Sequence, residues 1–216
     1  MLLIELFKNP IMFLAWAVAL VVSISFHEFS HAVCATALGD STPKRMKRLT
    51  LNPVAHLDLW GTILLLVAGF GWGKPVPYNP FNLRNQKWGP ALIAAAGPIS
   101  NLLLITVFIL LFRLLRDWDV TLNFLGPENM LFDFLSVLII INTILMVFNL
   151  IPIPPLDGSK VMFGFFPSKW YPKMVWLERN GPMLLIGFII LDSILGTRLL
   201  NNLFQLILTG VSNLLG

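Results

Sequence analysis

From Pro10 to Leu38 the chain is apolar, with a single charged side chain, Glu28, set between His27 and His31. This stretch constrains the fold more than any other. A helix needs about 20 apolar residues to cross a bilayer, and this run exceeds that length. A carboxylate inside a span is costly, so it marks a functional site by default. Helical spacing puts His27 and His31 one turn apart on one face, where two imidazoles can share one metal ion. Glu28 sits beside them, where a general base for water would sit.

Composition supports a membrane protein. Of 216 residues, 56% are hydrophobic and 12% charged, whereas soluble domains carry about 25% charged residues. Mean hydropathy is +0.79. Too little polar surface exists to cover a water-soluble globule. The formal charge of +4 therefore does not indicate a nucleic-acid partner. A single cysteine, Cys34, excludes a disulfide framework and a cysteine-rich zinc site. Cys34 shares roughly the face of His27 and His31, but a buried thiol acting as a small apolar residue is its commoner role. Residues 1–7 lack a basic start and a small-residue cleavage site, so the first span is expected to be retained.

Further along, two more runs have spanning length, about Trp88–Leu115 and Met130–Ile151. Gly61–Phe70 is too short to cross and reads as re-entrant or half-buried. Gly69–Pro80 is too rich in glycine and proline for a helix and reads as turn-rich or extended. Non-helical backbone at membrane depth needs protein or water to cover it. The last part, about Pro182–Leu215, is broken by Asp192, Gly196 and Arg198, and fits one tilted helix or a hairpin equally. The fold class is an all-α membrane protein, a helical bundle of about four to six transmembrane segments with a re-entrant or extended loop near the active site. Residues 1–216 read as one membrane-embedded domain.

The connectors set an orientation. Lys44, Arg45, Lys47, Arg48, Lys74, Arg84 and Lys87 follow the first span, and Lys160, Lys169, Lys173 and Arg179 follow the third. The connector between the second and third spans has no such excess. The positive-inside rule then places Leu38 and Asp157 on the cytoplasmic side and the N-terminus outside. His27, His31 and Asp157 reach similar depth from separate helices. A catalytic zinc takes three protein ligands and leaves one position open. Asp157 is suited to be the third, although an Asp before Gly is also a common turn residue. Among rivals, Asp133 lies near the opposite face. Asp58, Asp192 and His56 remain open.

Phe26-His27-Glu28-Phe29-Ser30-His31-Ala32, Leu51-Asn52-Pro53-Val54-Ala55-His56-Leu57-Asp58, Gly73-Lys74-Pro75-Val76-Pro77, Gly97-Pro98-Ile99-Ser100-Asn101 and Phe148–Gly158 occur in that order. In this the chain resembles the site-2 protease family of intramembrane zinc metalloproteases, in its compact prokaryotic branch. The resemblance runs from the first span through Asp157. It implies one Zn2+ held by His27, His31 and Asp157, with Glu28 activating water. It also suggests that His56 and Asn101 line the active site, one of them polarising the scissile carbonyl, with Asn142 and Asn149 able to serve similarly. For Asn101 an interhelical hydrogen bond is the structural alternative.

Many relatives insert a PDZ domain between the two halves of the site, and no connector here is long or polar enough for one. Substrate selection is then expected from residues 71–79, an extended edge on which Lys74, Val76 and Tyr78 meet an unwound substrate as a strand. The partners implied are transmembrane protein substrates and the lipid bilayer of a prokaryotic inner membrane, with the active site toward the cytoplasm. The competing reading is a catalytically inactive metal-binding membrane protein or a partner for other helices. A membrane oxygenase or desaturase needs more than three histidines, and a metal transporter needs several sites along a path.

Overall fold

The computed structural model describes residues 9–68, 73–116 and 130–215. Helix α1 covers Pro10–Ala37. Asn9 caps it, its Oδ1 accepting from the Met12 amide, and Pro10 takes the first helical position, where no backbone donor is needed. Twenty-eight residues at about 1.5 Å each are long enough to cross a bilayer.

The inward face of α1 is small and polar. Ala19, Ser23, His27, His31 and Ala35 recur every fourth residue and all are buried. Ile11, Leu14, Val18, Phe26 and Val33 face outward. This inside-out pattern suits a membrane helix, where small residues let neighbouring backbones approach closely.

After a short helix α2 (Thr42–Arg45) and a 3-10 turn at Pro53–Ala55, helix α3 covers Leu59–Ala68. Ten residues cannot span by themselves, as the sequence reading expected. Asp58 accepts from the Gly61 amide at the start of α3, so it serves the helix end. From Gly73 to Asn79 the chain is neither helix nor strand, joined to Leu57 by one isolated antiparallel bridge at Gly73. The first part of the expected extended segment, 71–72, lies outside the described residues.

Helix α4 (Gly89–Arg116) buries Ala94, Gly97, Asn101 and Ile105 along one stripe and exposes Leu92, Leu103, Val107, Leu110 and Leu114. Pro98 lies inside it and removes the N–H that would bond the Ala94 carbonyl, loosening that turn. Helix α5 (Met130–Asn149) buries Leu135, Leu138, Ile139 and Asn142. Helices α1, α4 and α5 pack pairwise, and α6 (Asp157–Gly164) packs on α4. Leu135, Val137, Leu138 and Ile141 meet Ala19 in the largest apolar cluster.

The tail resolves into two helices, α7 (Tyr171–Leu195) and α8 (Leu199–Leu215). Gly196 and Arg198 have φ of 64° and 54°, which ends one helix and turns the chain. Asp192 accepts from Thr197 and from the Leu199 amide at 2.8 Å, so it caps α8 and stands apart from the metal cluster described below. Pro182 is internal to α7 and does not begin it. Arg113 of α4 donates to the Leu214 carbonyl at the end of α8. Residues in α1, α4, α5 and Ser168–Leu195 form helices long and apolar enough to cross a membrane. Among the described residues there is no strand. The protein is an all-α, multi-pass membrane protein.

Candidate metal centre

Two helical devices bring three donor atoms together. On α1 the four-residue spacing stacks His27 and His31, their rings edge to face with centroids 4.7 Å apart. After α5 the chain turns through Ile151–Pro155, and α6 begins at Asp157. Its carboxylate sits in the first turn, where the helix dipole favours negative charge. Gly158 makes the turn possible, because a Cβ there would stand 2.2 Å from the Leu150 carbonyl oxygen.

The three donors form a nearly equilateral triangle. Nε2 of His27 and Nε2 of His31 are 3.1 Å apart. Asp157 Oδ2 lies 3.1 Å from the first and 3.2 Å from the second. Donors bound tetrahedrally at zinc's usual bond lengths stand about 3.3 Å from one another, so the triangle has the right size.

The opposite ring nitrogens supply a second test. His31 Nδ1 lies 2.6 Å from the Ile93 carbonyl oxygen, and His27 Nδ1 lies 2.6 Å from Asn101 Oδ1. Each oxygen accepts, so each Nδ1 carries the proton and each Nε2 presents a lone pair toward the other. Two lone pairs and a carboxylate converging in a buried site suit a cation. The residues fit zinc. Among the described residues this is the cluster of histidine and acidic groups placed to hold a metal.

Gly97 of α4 covers the imidazoles. In the sequence Gly97 stands out only as part of the Gly97-Pro98-Ile99-Ser100-Asn101 motif. Its reason is steric, since any side chain there would occupy the histidines' space.

Glu28 is half-buried, and its Oε2 is one of three buried polar atoms with no hydrogen-bond partner among the described residues. The others are Arg48 Nε and His56 Nδ1. Oε1 faces Gly73, where an added Cβ would be 3.6 Å from it and 3.3 Å from the His56 carbonyl oxygen. The carboxylate thus looks onto the start of the extended segment.

Arg48 and Asp40 pin that segment, and neither role was visible in the sequence. Arg48, which the sequence shows only as one of a row of basic connector residues, is 5% exposed. Its guanidinium donates to the carbonyls of Ala55, Lys74 and Pro75. Burial lowers its pKa, and the negative charge of Glu28 opposes that. Asp40 is fully buried and accepts from the Asn79 amide at 2.6 Å, from Asn82 and from Thr42. Burial works to raise its pKa, but these hydrogen bonds prevail and hold it at about 2.

His56, Asn101, Asn142 and Asn149 each take part in hydrogen bonds within the protein. His56 is fully buried, with Nε2 2.7 Å from the Thr50 carbonyl, and its own carbonyl accepts from the Lys74 amide. That bond puts the ring proton on Nε2, so Nδ1 of a neutral ring has none to give a substrate carbonyl. Asn101 is also fully buried, with both ends of its amide engaged. Asn142 lies behind it, and Asn149 is half-buried with its amide nitrogen donating to Leu145. Lys74 is exposed, while Val76 and Tyr78 are half-buried. The Tyr78 ring packs with Cys34 against Ala35, Leu83 and Ile93. Cys34 stands apart from the metal cluster. Burial, then the charges of Glu178 and Asp157, push the Tyr78 phenol up to about 12.

The chain matches the family model described as Peptidase family M50 over residues 125–190. It is 40% identical over 164 residues to the Bacillus subtilis protein named "Putative zinc metalloprotease YwhC", covering 76% of this chain and 74% of that one. Two mycobacterial proteins named "Putative zinc metalloprotease Rip2" are also similar. The Mycolicibacterium smegmatis protein is 30% identical over 145 residues, and the Mycobacterium tuberculosis protein 32% over 144. Each alignment covers 63% of this chain and 51% of the relative, so the chain spans about half the length of the mycobacterial proteins. No solved structure matches.

Proposed function

Because the chain belongs to peptidase family M50, the site-2 proteases, we propose that it hydrolyses a peptide bond in or near the transmembrane segment of membrane-protein substrates. It is a membrane zinc metalloprotease. The observation that carries the proposal is the convergence of His27, His31 and Asp157, which lie up to 130 residues apart in the chain, on one buried point within a helical bundle.

His27, His31 and Asp157 hold the zinc. When bound there, zinc acts as a Lewis acid and makes water nucleophilic near neutral pH. Glu28 is the general base. Its unpartnered Oε2 takes the proton from the attacking water and returns it to the amide nitrogen as the peptide bond breaks. Asn149 gives one amide N–H to the Leu145 carbonyl of its own helix, and we assign its second N–H to the substrate carbonyl, since Asn101 and Asn142 are engaged with one another.

A helical substrate keeps its peptide bonds hydrogen-bonded and shielded, so it must unwind before attack. Residues 73–79 offer an extended backbone beside Glu28. We infer that the unwound substrate pairs along Lys74, Val76 and Tyr78. Because Tyr78 is packed inward, recognition there is chiefly of backbone. Within residues 1–216, selection falls to this membrane-embedded segment without a PDZ domain. The basic connectors support a site that faces the cytoplasm and an N-terminus outside.

The test is cleavage of a panel of single-span reporters in liposomes, with and without a chelator. Cleavage that chelation stops and added zinc restores supports the proposal. Chelator-resistant cleavage, or zinc binding with no cleavage of any reporter, would oppose it.

A further inference from the structure

We propose that Asn142 is a positioning residue that fixes the tautomer of His27 through Asn101. The inference rests on His27 being a zinc ligand. The two imidazoles are oriented by different means. His31 donates directly to a backbone carbonyl, Ile93 O at 2.6 Å, and a carbonyl can only accept. His27 instead faces a side-chain amide, Asn101. An amide presents an acceptor on one side and a donor on the other, so by itself it could favour either tautomer. Something must decide which end of Asn101 faces the ring.

Asn142 decides it. Its Nδ2 lies 2.8 Å from the Leu138 carbonyl oxygen and 2.8 Å from Ser23 Oγ. The carbonyl can only accept. Ser23 already gives its proton to the Ala19 carbonyl at 2.7 Å, so its oxygen is also left to accept. Two acceptors hold the Asn142 nitrogen, and Oδ1 must point to Asn101. Oδ1 then accepts from Asn101 Nδ2 at 2.8 Å, which turns Asn101 Oδ1 onto His27 Nδ1. That nitrogen keeps the proton, and Nε2 keeps its lone pair for the metal.

Ser23, Asn101 and Asn142 are essentially buried, each on a different helix of the α1–α4–α5 core. A plain interhelical tether would need no defined direction. This chain of bonds has one, from two backbone carbonyls to the imidazole.

The experiment measures zinc affinity of the purified full chain by competition with a chromophoric chelator, alongside its melting temperature. Asn142→Leu keeps the branched shape, with bulkier methyl ends, and releases Asn101 to flip. Its zinc affinity should fall about ten- to a hundred-fold, the usual cost of losing a residue that orients a ligand. Adding Asn101→Asp to that variant should restore most of the affinity, because a carboxylate accepts from His27 whichever way it is turned. Ser23→Ala leaves the Leu138 carbonyl in charge of Asn142 and should change affinity less than threefold, about 0.6 kcal/mol. A folded Asn142→Leu protein with wild-type affinity would overturn the inference. So would a loss that Asn101→Asp fails to repair while the protein still melts cooperatively. If Asn142→Leu does not fold, Asn142→Asp is used: kept neutral by burial, its hydroxyl donates to the Leu138 carbonyl in place of the amide and its other oxygen still accepts from Asn101, so it should bind zinc within threefold of wild type; a tenfold loss in that folded variant overturns the relay. Wild type that binds no zinc would instead refute the ligand assignment.

Discussion

Gly97 lies against His27 so closely that a Cβ on residue 97 would stand 2.5 Å from Cε1 of the imidazole and 2.5 Å from Nε2 of His31. Helix α4 therefore forms the wall that holds both rings in place. The fit leaves no room for one further methyl group.

Gly97→Ala should accordingly push the imidazoles off the metal-binding geometry. Overpacking of this kind costs about 1–3 kcal/mol. The expected result is at least a tenfold loss of zinc affinity, measured by chelator competition, with helical content by circular dichroism unchanged. Wild-type affinity would show that the wall yields.

Arg48 tests the extended segment. Arg48→Met removes the donors to Ala55, Lys74 and Pro75 while keeping much of the apolar stem. Hydrogen bonds to charged groups contribute about 1.5–3 kcal/mol each, so the segment should loosen. Reporter cleavage should fall by more than tenfold, and bound zinc should remain near one equivalent. Lysine at this position reaches fewer carbonyls and should rescue only in part.

Two prolines test the same segment from the substrate's side. Val76→Pro and Tyr78→Pro each remove a backbone donor and should abolish cleavage while sparing zinc. Normal turnover in either variant would rule out strand pairing along 73–79.

Asp40 sets a pH limit on that segment. Its folded pKa of about 2 lies below the ordinary 3.8. A depressed folded pKa means the stabilisation is complete above the unfolded value and is lost as pH falls from about 4 toward 2. The Asn79 amide, which donates to Asp40, should lose protection relative to its intrinsic exchange rate across that window. In Asp40→Asn the step should vanish. Hydrogen exchange read by mass spectrometry checks both.

Much of this architecture was legible in the sequence, and the reason is physical. Spans announce themselves by length and hydropathy, and α1, α4 and α5 begin and end within two residues of where their apolar runs do. Counting crossings put Asp157 at a depth like that of His27 but left it open as a turn residue, and only the resemblance to the site-2 proteases singled it out as a ligand. What stayed hidden depends on how helices are rotated against one another. Asn101 and Asn142 read alike as polar residues in apolar helices, and only packing shows them bonded to each other. Arg48 was masked by Lys44, Arg45 and Lys47, since composition cannot tell a buried arginine from exposed neighbours. Asp192 was left open as a ligand because a cap depends on where α7 stops, and that is set by Gly196 and Arg198 in positive φ.

On the proposed mechanism Glu28 works on water at a zinc held by His27, His31 and Asp157. The most direct measurement compares wild type with Glu28→Gln in liposomes, reading zinc content and cleavage of one reporter span together. Equal zinc is expected in both proteins and cleavage by wild type alone, with a loss in the variant of at least about a hundredfold for a missing general base. Cleavage by Glu28→Gln at the wild-type rate, with zinc bound, would contradict it.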